Sequence, residues 1–145
     1  VTDREGDVQE RLCELITSRA TGTTPAAAIR GFTLESVEHI REIPRDQWRG
    51  EIGYLAAISP AVHRLALELA QRQADALAAA IADSTEIAPE IARLQGLALS
   101  SVYRILITEA GQRTVKGHSQ ARIVKQLHPI IEHVLDELDR WFSSP

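Results

Sequence analysis

Apolar residues recur along this chain at spacings of three and four, and no stretch alternates at period two for long, so the pattern predicts helices throughout. The first periodic stretch runs from Asp7 to Arg19, with Val8, Leu12, Leu15 and Ile16 on one face. Asp3, Glu5 and Asp7 lie at its start, where acids favour the helix dipole. Gly22, among the threonines Thr21, Thr23 and Thr24, ends it. Thr24-Pro25 then reads as a cap and first turn, because proline loses nothing where the N–H is already unpaired. It opens a second helix to about Ile43, with Ile29, Phe32, Val37 and Ile40 inward, and Pro44 stops it. A third, weaker helix covers Arg45 to Ala57; it carries Gly50 and Gly53, each disfavoured by about 1 kcal/mol relative to alanine.

Ser59-Pro60 repeats the cap signature and begins a long helix to Asp83. Its stripe is Val62, Leu65, Leu69, Ala76 and Ala80, widened by Ala66, Leu77 and Ile81. After a turn at Ser84, Thr85 and Glu86, a fifth helix runs from Pro89 to Ala110, with Gly111 as its C-terminal cap. The last helix runs from about Ser119 to Phe142 and contains Pro129. The expected fold is all-α: six helices with short polar joints, one domain over residues 1–145.

The last two helices carry more apolar surface than one core needs. Ile87, Ile91, Leu94, Ala98, Ser101 and Ile105 form one seam, and Val124, Leu127, Ile131, Val134, Leu138 and Trp141 another, both with the a/d spacing of paired helices. Each helix also has a second apolar face: Leu97, Leu99, Val102 and Leu106 on the first, and Ile123, Ile130, Leu135 and Phe142 on the second. A helix apolar on two sides is buried on two sides. The economical solution is an intermolecular four-helix bundle in which two copies meet through these helices. Leu94, Ala98, Ser101, Ile105, Val124, Leu127, Ile131, Val134 and Leu138 are then the expected interface. The alternative is that both helices are central in a monomer.

Composition leaves this picture in place. The chain has 145 residues, 44% hydrophobic and 25% charged, with a formal net charge of -4, as in an ordinary globular domain. The acidic balance argues against a general nucleic-acid binder, which would show a net basic face. No apolar run approaches the roughly 20 residues that span a bilayer. A single cysteine, Cys13, excludes a disulfide framework and fits a reducing cytoplasm; between Leu12 and Leu15 it reads as a small core hydrophobe. Methionine is absent, so Val1 is not an initiator, and the chain is expected to be processed or a piece of a longer one.

Catalytic patterns are thin. There is no phosphate loop, G-x-S-x-G, C-x-x-C or H-E-x-x-H, so the sequence assigns no catalytic residue, metal or cofactor. His128, Glu132 and Asp136 follow one another at four-residue steps and could hold a cation on one helix face. They carry the competing reading, a metal-binding or enzymatic helical bundle. A ligand cavity is better supported. Tyr54, Tyr103, Trp48, His63, Ser100, Gln95 and Arg104 place polar atoms on or near apolar faces, as small-molecule sites do. The plainer reading of Trp48 and Tyr54 is as core or rim residues. The glycine-bearing third helix is the natural mouth, since it opens cheaply.

Helix order and lengths resemble the C-terminal regulatory domain of TetR-family transcriptional repressors. The resemblance is carried by Ser59-Pro60-Ala61-Val62-His63-Arg64-Leu65 through Ala80-Ile81, similar to that family's long helix, and by the Ala/Leu-rich helix Pro89–Ala110. The closing Leu135-Asp136-Glu137-Leu138-Asp139-Arg140-Trp141-Phe142 is similar to the family's second dimerising helix, and Val1 to Val8 to the junction with its DNA-binding head. It spans essentially the whole chain but rests on helix order and composition. It implies a homodimer in which a small, largely apolar effector weakens DNA binding by an N-terminal helix-turn-helix; that head lies outside these residues. It places effector contacts on Phe32, Trp48, Tyr54, Leu65, Ser100 and Tyr103. A dimerisation module without a ligand is the remaining alternative.

Overall fold

A computed structural model describes residues 2–143, with the side chains of residues 6–51 and 53–143. It contains seven α-helices among the described residues: α1 Thr2–Thr17, α2 Pro25–His39, α3 Arg45–Arg49, α4 Ile52–Ile58, α5 Pro60–Ser84, α6 Pro89–Val115 and α7 Gln120–Ser143. A 3-10 turn, Ile40–Glu42, follows α2.

The caps behave as the sequence predicts. Thr24 Oγ1 accepts from the Ala27 amide at 3.0 Å with Pro25 in the first turn of α2, and Ser59 Oγ accepts from the Val62 amide at 3.4 Å above Pro60. Ser119 Oγ receives the Arg122 amide at the start of α7, which continues through Pro129.

Several boundaries differ; helix α2, for one, stops at His39, and the 3-10 turn carries the chain on towards Pro44. The expected third helix is two, α3 and α4, because Gly50 ends the first and Glu51 is extended. Helix α1 begins before Asp7, at Thr2. Helix α6 continues past Gly111 to Val115, and the left-handed residue that ends it is Gly117, at φ +87°. Gly111 instead serves a packing contact inside the helix.

Five helices supply the fully buried core side chains: Leu12 and Ile16 from α1, Ile29 and Val37 from α2, Leu77 and Ile81 from α5, Leu99 and Val102 from α6, and Ile123, Leu127, Ile131 and Leu135 from α7. Helices α5 and α6 share the most extensive interface and run antiparallel, because small residues let their backbones meet. A Cβ on Gly96 would stand 2.7 Å from both the Ala74 carbonyl oxygen and the Ala78 nitrogen. One turn along, Ser100 Oγ donates to the Ala70 carbonyl at 2.9 Å. Helix α2 lies along α7, joined by the polar pairs Arg30–Glu132, Arg30–Asp136 and Thr24–Asp139. Among the described residues no helix is long and apolar enough to cross a membrane.

Candidate functional site

Tyr103 is the centre of the chemistry-bearing region. It lies on the inner face of α6, 7% exposed, and its hydroxyl stands 2.9 Å from Oγ1 of Thr33, which is wholly buried on α2. An aromatic ring with a polar tip reaches a partner across the core in this way. Its ring, with Gly53 of α4 and Ile107 of α6, forms a wall shared by two cavities.

The first cavity, about 470 Å³, opens among α1, α4, α5 and α6. Ala56, Ala66, Leu69, Ala70 and Ile107 give it an apolar body. Gln9, Gln73, Ser100 and Tyr103 bring polar atoms to it, and Arg72, Arg104 and His63 bring cationic or titratable ones. The second, about 440 Å³, lies on the α2 side, with Phe32, Ile40, Trp48 and Leu106 as walls and Glu35 and His39 in its lining. Trp48 Nε1 donates to Thr114 Oγ1 at 3.0 Å, so its indole is a fixed wall. Both volumes fall in the range of small-molecule sites, roughly 300–1,000 Å³.

The expected ligand contacts divide between these spaces. Ser100 lines the first cavity, Phe32 and Trp48 the second, and Tyr103 both. Tyr54 and Leu65 line neither. Tyr54 follows Gly53, where α4 is pressed on the α6 backbone, and Leu65 faces outward at 38% exposure because the inward stripe of α5 is rotated from the expected one. That stripe centres on Gln73, Leu77 and Ile81. Gln73, Arg72 and Gln9 are cavity residues that sequence reasoning missed. Gln73 had a legible signal: it is the polar member of an otherwise apolar series, Leu69, Gln73, Leu77 and Ile81, at steps of four.

The expected pairing seams are also redistributed. On α6, Leu94 and Ile105 are exposed, at 48% and 37%, Ser101 is exposed and Ala98 half-buried. On α7, Val124, Leu127 and Ile131 are wholly buried in the chain's own core, and Val134 and Leu138 pack partly against it. That seam is spent inside the domain, because α2 and α6 cover it. The apolar side chains that α7 leaves outside are Ile130 and Trp141.

His128, Glu132 and Asp136 are engaged in polar pairs between α2 and α7. Arg30 lies 2.7 Å from Glu132 and 3.0 Å from Asp136, and His128 Nδ1 lies 2.9 Å from Glu38. The hydrogen bond from His128 holds the Glu38 carboxyl below its ordinary value. Among the described residues no three histidines, cysteines or acids gather as a metal site. Cys13 is half-buried with Sγ 3.7 Å from the Ala76 carbonyl, and burial pushes its thiol up, the opposite of an activated nucleophile.

No family model, curated protein or solved structure matches this chain.

Proposed function

We propose that this domain is the effector-binding and pairing half of a dimeric transcriptional regulator of the TetR type. The observation that carries the reading is the cavity of about 470 Å³ roofed by α4, in which an apolar body meets a set of polar side chains that includes Ser100 and Tyr103. A short helix such as α4, beside such a space, can transmit occupancy: a ligand that binds one arrangement of the helices better than another shifts their populations. A DNA-binding head joined to α1 would feel that shift, since Gly6 and Gln9 of α1 line the same cavity.

Pairing is supported by the outward face of the α6–α7 hairpin. Arg113 Nε donates to Gln126 Oε1 at 3.0 Å, which sets the antiparallel register of the two helices. Counted from that contact, the levels of Ile105 and Ile130, and of Leu94 and Trp141, differ by about one helical turn along the hairpin. With Ile91 and Leu97, these exposed apolar residues make a two-helix face that a second copy covers. The interface is therefore proposed on Ile91, Leu94, Ile105, Ile130 and Trp141, with the buried α7 seam excluded.

The test is light scattering on the 145-residue chain together with operator binding by the protein that carries it. A particle of twice the chain mass, and an operator complex released by a ligand of the first cavity, support the reading. A monomer at high concentration, or a parent protein with no affinity for DNA, overturns it.

A further inference from the structure

The first cavity has a charge character of its own. The chain holds 20 acids against 16 lysines and arginines, yet among the described residues no Asp or Glu lines this cavity, whose lining includes Arg72 on α5 and Arg104 on α6. Neither guanidinium has an ion-pair or hydrogen-bond partner among the described residues, so both charges are available to a ligand. The second cavity is different, with Glu35 in its lining.

Gln73 points to a ligand independently. It is 8% exposed, it lines the cavity, and its carboxamide has no hydrogen-bond partner among the described residues. Its amide nitrogen and oxygen keep access to the cavity, so a bound polar group can accept from the one and donate to the other. Gln73 adjoins Arg72 in sequence, and the Ser100–Ala70 hydrogen bond pins α5 to α6 close by. Arg72 and Arg104 are exposed and so stand at the rim, while Gln73 lies beneath it.

We propose that this cavity takes an amphipathic anion: a carboxylate of medium chain length whose head lies between Gln73 and the Arg72–Arg104 rim and whose apolar body lies against Ala56, Ala66 and Leu69. The proposal rests on the effector-binding reading above and adds the sign of the ligand's charge. Guanidinium groups suit a carboxylate because their planar N–H groups match its two oxygens. A cationic ligand would meet two unneutralised charges, and an uncharged one would leave both without a partner.

The experiment is calorimetric titration of the chain with decanoate, decanol and decylammonium, repeated on the double variant Arg72→Gln with Arg104→Gln and on Gln73→Leu. Decanoate is expected to bind about tenfold more tightly than decanol, with decylammonium weakest. In the double variant the gap closes while decanol affinity is unchanged, which also shows that the cavity is intact. Gln73→Leu weakens decanoate and leaves decanol as it was. The preference shrinks as salt is raised, since the rim is open to water. Equal affinity for decanoate and decanol, or a preference that survives the double variant, overturns the anion assignment and leaves the effector-binding reading standing. Binding of none of the three overturns both.

Discussion

Gly111 of α6 faces Gly53 of α4 backbone to backbone: a Cβ on Gly111 would lie 2.0 Å from the Gly53 carbonyl oxygen and 2.5 Å from its carbon. No real Cβ sits so close, so α4 rests on α6 because position 111 lacks a side chain; a Cβ on Gly53 would be tight rather than excluded, at 3.0 Å from the Ile107 carbonyl oxygen. Gly53 also belongs to the wall between the two cavities, so this contact sets the position of the roof over both.

Gly111→Ala should therefore destabilise the domain although alanine is the better helix former. The obstructing atoms are backbone, so α4 must lift as a whole, at about 3 kcal/mol, or about 10 °C in Tm. Gly31→Ala is the control. Gly31 is an exposed position inside α2, and a methyl added there would meet nothing within 4 Å, so the variant should gain about 1 kcal/mol from helix propensity. Thermal unfolding followed by circular dichroism reads both, and equal Tm values for the two variants would refute the account.

Thr33 and Tyr103 should be energetically coupled. Tyr103→Phe leaves the wholly buried Thr33 hydroxyl without the tyrosine oxygen, which should cost about 1–3 kcal/mol. Adding Thr33→Val removes the orphan, so the double variant should be less destabilised than the sum of the single ones. Chemical denaturation of the four proteins gives the coupling directly, and strict additivity would show that the contact contributes nothing.

Two kinds of apolar substitution on the α6–α7 hairpin should separate pairing from folding. Leu94→Glu with Ile105→Glu alters exposed positions and should leave the helical spectrum intact while turning a dimer into a monomer in sedimentation. Leu127→Ala empties a fully buried position of α7 and should cost about 2–5 kcal/mol whatever the association state. Loss of helical structure in the first variant would place those α6 residues in the chain's own core.

The Glu38–His128 pair makes a pH-dependent contribution of known sign. The Glu38 carboxyl is held below its ordinary value of 4.5 in the folded chain, chiefly by the hydrogen bond from His128. A depressed carboxyl stabilises fully above its unfolded value and loses that contribution as pH falls through the folded value. The Tm gap between the native chain and Glu38→Gln should thus be present at about pH 6, shrink below about pH 4.5 and be gone at the acid extreme. Because the pair is at the surface, the gap should be small and should narrow in high salt. A gap that stays constant through the acid range would contradict the assignment.

Much of the fold is local physics and was legible in the residues. Thr24-Pro25 and Ser59-Pro60 open α2 and α5 where expected, because a side-chain cap and a proline act over three or four residues. The all-helical class follows from apolar spacing alone. Within the cavities, Phe32, Trp48, Ser100 and Tyr103 were identifiable as bulky or polar residues on apolar faces.

The remainder was decided by which helix each face met. The a/d spacing of Val124, Leu127 and Ile131 shows that the face is covered, but its cover is the domain's own α2 and α6. Spacing records the need for burial and carries no record of the partner. Gly111 resembled a cap by its position, and only the approach of α4 at Gly53, far away in sequence, explains why a glycine stands there. Arg72, Gln73 and Arg104 line one space because two antiparallel helices close on Gly96 and Ser100, and that crossing is a property of the packed backbones. The sequence by itself thus determined the helices, most of their ends and their apolar faces, since these depend on neighbours a few residues away. Tertiary structure alone decided which faces remain outside and where unpaired polar groups converge, since those depend on contacts between segments far apart in the chain.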